Sequence, residues 1–112
     1  HGTSGRADEI ITAEDGEEAL DVALSRRPDL VITDFQMPHM SGLELCQKLK
    51  GEATTAKTPA LMLTARGFAL EPQLLERTNI MAVLSKPFSP REVRARVEEL
   101  IGPGVGQEVG QG

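Results

Sequence analysis

The sequence predicts an α/β domain in which a parallel sheet carries helices on both faces. Short apolar runs alternate with helix-period segments in a β-α-β-α-β-α-β-α order, the pattern of parallel strands joined by helical crossovers. Residues 30–33 (Leu-Val-Ile-Thr) show no polar alternation, as expected of a strand buried on both faces. Crossovers between parallel strands are right-handed almost without exception, so all strand carboxyl ends fall on one edge.

The elements follow in order. Residues 1–8 read as a leading loop. Glu9-Ile10-Ile11-Thr12-Ala13 is a short strand, β-branched in its middle. Asp15-Gly16 reads as a turn, and residues 17–26 as a helix whose Ala19, Leu20, Ala23 and Leu24 share a face. Acids at its start and Arg26 and Arg27 at its end suit the helix dipole, and Pro28 stops it. After the strand at 30–33, a loop over 35–42 leads to a helix from Leu43 to about Lys50, with Leu43, Cys46 and Leu49 on one side. Residues 51–58 are small and polar, a surface loop, and Pro59 admits a strand over 60–63. A weakly patterned helix is read over 68–77, with Leu70, Leu74 and Leu75 inward, then a strand over 80–84. Ser89 and Pro90 open a last helix with the stripe Val93, Val97, Leu100 and Ile101. Residues 102–112, rich in Gly and Gln, cannot bury a core and read as a flexible tail or linker stub. The ordered domain is therefore placed at 9–101, and no internal repeat is found.

At 112 residues the chain can build one core, not two. Aromatics are 3%, with no Trp or Tyr, which excludes a base-stacking nucleic-acid platform and makes the core aliphatic. A net charge of −5 argues against direct binding of DNA or anionic membranes. No apolar run reaches the ~20 residues that span a bilayer. The single cysteine, Cys46, rules out an internal disulfide and suits a reducing cytoplasm; its expected role is a small buried side chain.

Chemistry concentrates at three strand ends. Leu30-Val31-Ile32-Thr33 runs into Asp34, Leu61-Met62-Leu63 into Thr64, and Val83-Leu84-Ser85 into Lys86. The carboxyl ends of strands are where open α/β sheets do their chemistry, so an acid, a hydroxyl and an ammonium can converge there. A carboxylate can take a phosphoryl group as an acyl phosphate. Such transfer is catalysed mainly by charge placed around the equatorial oxygens, with Lys86 as point charge and Thr64 as hydroxyl donor. Singly, each has a blander reading: Asp34 a turn residue, Thr64 a β-former, Lys86 a solvated charge. Their shared placement raises them together. His39 lies in a loop without partner ligands and is read as a surface residue, with Met37 and Met40 packing that loop down.

The segment Ile32-Thr33-Asp34-Phe35-Gln36-Met37-Pro38-His39-Met40-Ser41-Gly42 resembles the phosphoacceptor region of response regulator receiver domains. Leu63-Thr64-Ala65 and Lys86-Pro87-Phe88 resemble the family's other two landmarks, in the same order. Ala13-Glu14-Asp15-Gly16-Glu17-Glu18-Ala19-Leu20 is similar to the family's second strand entering its second helix. The resemblance covers residues 9–101 and implies a flavodoxin-like three-layer αβα fold. It implies a two-component phosphorelay in which Asp34 accepts a phosphoryl group from a histidine kinase or phosphotransfer protein, then switches a downstream partner or output domain. It implies no enzyme in its own right, a cytoplasmic location, and room for a homodimer. It further implies magnesium held by Asp34 and the Gln36 backbone carbonyl, Ala65 leaving space for the phosphoryl group, and a cis Lys86–Pro87 bond.

Two departures qualify these expectations. The sequence opens in what resembles the loop after the family's first helix, so a strand, a helix and their connections, about 25 residues, are absent from it. That strand ends in the acidic pair that completes the magnesium site. Asp8 and Glu9 are adjacent acids but precede a strand, so they are not assigned to metal. Without that strand, either an open slot is left, or residues 9–13 pair directly with 30–34. Weak magnesium binding and slow phosphorylation are expected of the chain as it stands. Finally, Val83 stands where receivers commonly carry Tyr or Phe.

Two other functions compete. A receiver-like module could bind partners without phosphorylation. A hydrolase using an aspartyl intermediate is disfavoured, because no second acid follows Asp34 at the required spacing and no general base is in view.

Overall fold

Four parallel strands pair in the order in which the chain makes them, β1-β2-β3-β4. The computed structural model describes residues 9–65 and 70–102. The elements are β1 Ile10–Ala13, α1 Gly16–Arg26, β2 Leu30–Asp34, α2 Gly42–Lys50, β3 Ala60–Thr64, α3 Pro72–Glu76, β4 Ile80–Ser85 and α4 Pro90–Ile101. The expected leading loop and all but the first residue of the expected tail lie outside the described residues.

Of the two arrangements the sequence allowed, direct pairing is the one found. Ile10 stands against Leu30 and Ala13 against Thr33, with no gap between β1 and β2. Since the strand order never reverses, right-handed crossovers must all fall on one face. They do: α1, α2 and the half-buried Leu70 and Leu75 pack with Val31, Ala60, Met62 and Ile80. Among the described residues, only α4, which follows the last strand, covers the other face, where Val97 packs with Leu30, Leu61 and Leu84. Helices thus lie on both faces, but unequally.

Side chains of β2 and β3 alternate between these two clusters with the strand period of two. In β4 the phase is broken once. Ala60 pairs with Ile80 but Leu61 pairs with Ala82, so Met81 is an extra residue, a β-bulge. The bulge lets Ile80 and Val83 face one cluster while Ala82 and Leu84 face the other.

Local signals explain most boundaries. Asp15 does not form a turn with Gly16; it is the N-cap of α1, accepting from the Glu17 and Glu18 N–H groups. Arg27 closes that helix in the left-handed region (φ 50°), and Pro28 is buried behind it. Ser41 with Glu44, and Ser89 with Glu92, form reciprocal capping boxes on α2 and α4. The helix expected over 68–77 begins only at Pro72, because the residue before a proline avoids helical backbone and proline suits the first turn. Phe68 and Ala69 lie outside the described residues. The segment expected as a surface loop at 51–58 contains Thr55, which is fully buried and donates to the Leu49 carbonyl at 2.7 Å.

Cys46 is fully buried on α2, as its position on the helix face predicted. Burial pushes its thiol from the ordinary 9.0 up to about 12. Below pH 9 the thiol is protonated whether the chain is folded or not. Between 9 and about 12 only the unfolded chain loses the proton, so this group's contribution to stability falls as pH rises through that window. Native protein at neutral pH is expected to resist alkylation, with modification tracking unfolding in denaturant. Rapid labelling of folded protein would contradict the burial.

Candidate functional site

The carboxyl ends of β2, β3 and β4 meet in one cleft of about 210 Å³ lined by Asp34, Phe35, Gln36, Leu63, Thr64, Ala65 and Lys86. Backbone pairing brings them there. Asp34 stands against Leu63, and the Phe35 N–H continues the ladder to the Leu63 carbonyl at 2.9 Å. Thr64 stands against Ser85, and the Lys86 N–H donates to the Thr64 carbonyl at 3.0 Å. The Lys86–Pro87 bond is cis. Every cleft residue named from the sequence is therefore in one place.

Their side chains differ in readiness. Asp34, Gln36, Ala65 and Lys86 are exposed. Among the described residues, neither the Asp34 carboxylate nor the Lys86 ammonium has a hydrogen-bond or ion-pair partner, so both are available to an incoming group. Thr64 is buried, and its hydroxyl donates to the Leu84 carbonyl at 3.4 Å. That distance is at the long end for an O–H donor, so the bond is easily given up.

The loop after Asp34 is held by contacts that strand and helix periods do not announce. Gly42, the first residue of α2, donates its N–H to the Phe35 carbonyl at 2.7 Å. A Cβ there would lie 2.2 Å from the Asp34 carbonyl oxygen and 3.1 Å from the Thr33 hydroxyl. Only glycine lets α2 approach β2 so closely. Thr33, buried, donates to the Asp34 carbonyl at 2.9 Å and touches the Met37 sulfur at 3.5 Å. Met40 is buried against Gly16, where a Cβ would lie 2.5 Å from the Met40 Cβ. His39 is on the surface as expected, but it is also a link: at φ 68°, its Nδ1 lies 3.1 Å from Asp15 Oδ2. The Glu18 N–H, then His39, hold the Asp15 carboxyl below its ordinary value. The signal for this tie was the N-cap pattern at Asp15, read as a turn.

The donor set does not fit a resident magnesium ion. Magnesium takes a near-octahedral oxygen shell. Asp34 and the Gln36 carbonyl supply two donors, and among the described residues no three His, Cys, Asp or Glu side chains gather to hold a metal. Glu14 follows Ala13, whose partner is Thr33, so the register sets it across from Asp34. Its side chain nonetheless lines a separate groove with Asp15 and Glu18. Glu9 is at the opposite edge, paired with Arg26 and bonded through its backbone to Asp29, and Asp8 lies outside the described residues.

A parallel sheet flanked by helices, with an acid, a hydroxyl and a lysine at adjacent strand ends, agrees with the architecture expected of receiver domains. The model of the response regulator receiver domain matches residues 4–98, and this chain belongs to that family of signalling modules. It is 40% identical over 93 residues to the alkaline phosphatase synthesis transcriptional regulatory protein PhoP of Bacillus subtilis, covering 83% of this chain and 38% of that one. It is 33% identical over 102 residues to a chemotaxis protein CheY homolog of Campylobacter jejuni, covering 89% and 78%. Its fold matches the receiver domain of a sensor histidine kinase from Pseudomonas aeruginosa PAO1, solved with magnesium in its active-site cleft. The TM-score is 0.75 at 18% identity, covering 88% of this chain and 100% of that one. The chain spans 38% and 43% of the length of two transcriptional regulatory proteins that it matches.

Proposed function

We propose that Asp34 accepts a phosphoryl group from a phosphohistidine on a sensor kinase or phosphotransfer protein, and that the product changes what this domain presents to a downstream protein or output domain. The observation that carries this is the gathering of Asp34, Thr64 and Lys86 in one cleft, with the Asp34 carboxylate and the Lys86 ammonium free of partners among the described residues. A carboxylate oxygen of Asp34 attacks phosphorus in line. The P–N bond breaks, its electron pair returns to the imidazole, and an acyl phosphate remains on Asp34. Lys86 offsets the charge gathered on the phosphoryl oxygens.

The switch follows from Thr64. Its hydroxyl exchanges the long bond to the Leu84 carbonyl for a phosphoryl oxygen, drawing the end of β3 toward Asp34. Val83, half-buried against the α1–α2 face, takes no aromatic part in this movement. The comparisons do not favour a phosphorylation-independent binding module. The buried thiol of Cys46 supports the cytoplasm as the compartment, and no described helix is long and apolar enough to cross a membrane.

Incubation with a small phosphodonor, then mass mapping, is expected to find one base-labile phosphoryl group, on Asp34. Phosphate on His39 or Ser41 instead would refute the assignment.

A further inference from the structure

β1 ends the sheet, and among the described residues its outer edge has no partner. The ladder fixes which groups point outward. The Val31 N–H donates to the Pro59 carbonyl at 3.1 Å, so Val31 is turned toward β3 and its neighbours Leu30 and Ile32 toward β1. In the β1–β2 register those two residues meet the backbone of Glu9, Ile11 and Ala13. The N–H and C=O groups of Ile10 and Thr12 are left facing out. Beside this edge a groove of about 320 Å³ runs between β1 and α1. Ile11 and Ala13 form its strand side, and Glu18, Ala19 and Val22, neighbours on one face of α1, form its helix side. Ala19 is small and buried, while Ile11 and Val22 are half-buried and offer apolar surface.

Charge decides what fits. No described lysine or arginine lines the groove. Asp15 is committed to the start of α1 and to His39, but Glu14 and Glu18 are exposed and have no ion-pair partner among the described residues. These acids do not gather closely enough to hold a metal ion. A second copy would bring its own α1, with Glu17, Glu18 and Asp21 exposed, against the same acids. An open strand edge beside a helix is the geometry in which an extended peptide adds a strand, its backbone supplying affinity and its alternate side chains specificity. We propose that a basic, extended segment of a partner chain pairs with the outer edge of β1 and lies in this groove. One of its side chains rests on Ile11 and Val22, and a lysine or arginine two residues away meets Glu14 and Glu18, since alternate residues share a face. The proposal is independent of the role given to Asp34.

The probe is the capped pentapeptide threonyl-valyl-threonyl-lysyl-threonine amide, titrated into the whole chain while amide shifts are followed. It is expected to move Ile10, Thr12, Glu14 and Val22 with a Kd on the order of millimolar, as its size allows. The same peptide with glutamate for lysine should bind at least about fivefold more weakly at low salt. N-methylation removes backbone donors from one edge of a strand at a time. Methylating either the second and fourth or the third and fifth residues should therefore weaken binding roughly tenfold, while the other set is tolerated. In Glu14→Lys/Glu18→Lys, at two exposed positions, the preference should reverse toward the glutamate peptide, a result that loss of folding cannot produce. Equal binding of the lysine and glutamate peptides, equal effects of the two methylated sets, an unchanged preference in the variant, or no saturable shift would each overturn the proposal. Concentration-dependent shifts of the same residues without peptide would overturn it in favour of a second copy.

Discussion

Asp34→Asn is expected to abolish phosphoryl labelling while leaving the fold intact. Asparagine keeps the shape but removes the charged oxygen nucleophile. Asp34 is exposed at the end of β2, and no described side chain depends on its carboxylate, so the stability change should stay within about 0.5 kcal/mol. Lys86→Ala should retain the acceptor but slow labelling by roughly 10²–10³-fold, the usual loss when one preorganised charge or donor is removed. Intact-mass kinetics with thermal melts would test both. Undiminished labelling of Asp34→Asn would place the acceptor elsewhere. Undiminished labelling of Lys86→Ala would mean that the phosphoryl charge is met by other groups.

Gly42→Ala is expected to be the most damaging small substitution near the cleft. An added methyl would overlap the Asp34 carbonyl, with backbone on both sides of the clash and no flexible side chain to move away. Overpacking of this kind costs about 2 kcal/mol. Better helix propensity of alanine offsets little at a first helical position. For a domain of this size, the melting temperature should fall by about 10 °C. Labelling of Asp34 should slow as well, because α2 can relieve the overlap only by moving the loop that starts at Phe35. A variant with wild-type melting and wild-type labelling would show that the helix start does not bear on the acceptor strand.

What the sequence made legible, and what it did not, follows from the range of each interaction. Strand period and apolar runs place Asp34, Thr64 and Lys86 at strand ends, and parallel crossovers bring those ends to one edge, so the cleft could be read in advance. Ser89 and Pro90 announced α4 for the same reason, since they act within one turn, while the equally local pair of Ser41 and Glu44 at the start of α2 went unread. Pro72 is an equally local signal for the start of α3, which the helix expected over 68–77 overran. Contacts between segments remote in sequence had no such signature. The Gly42 approach to Asp34 and the Gly16 seat for Met40 depend on how finished elements meet. The bulge at Met81 escaped because Ile80 to Leu84 reads as one continuous apolar run, and such a run hides a change of phase.

The order of the strands also bears on how the chain reaches this fold. Each strand pairs with the one made just before it, and none is slotted between two earlier ones. Paired residues are separated by 20 positions across β1 and β2, 29 across β2 and β3, and 20 or 21 across β3 and β4. Loop-closure entropy rises with the logarithm of that separation, so no step of sheet assembly is much costlier than another. The sheet can lengthen at a single growing edge as the polypeptide emerges, with α1 and α2 laid on the same side in turn. By that point in synthesis Asp34 already stands beside its neighbour β1, while the strands bearing Thr64 and Lys86 are still to come. Asp34 is in place first, and Thr64 and Lys86 are added by the last two strands.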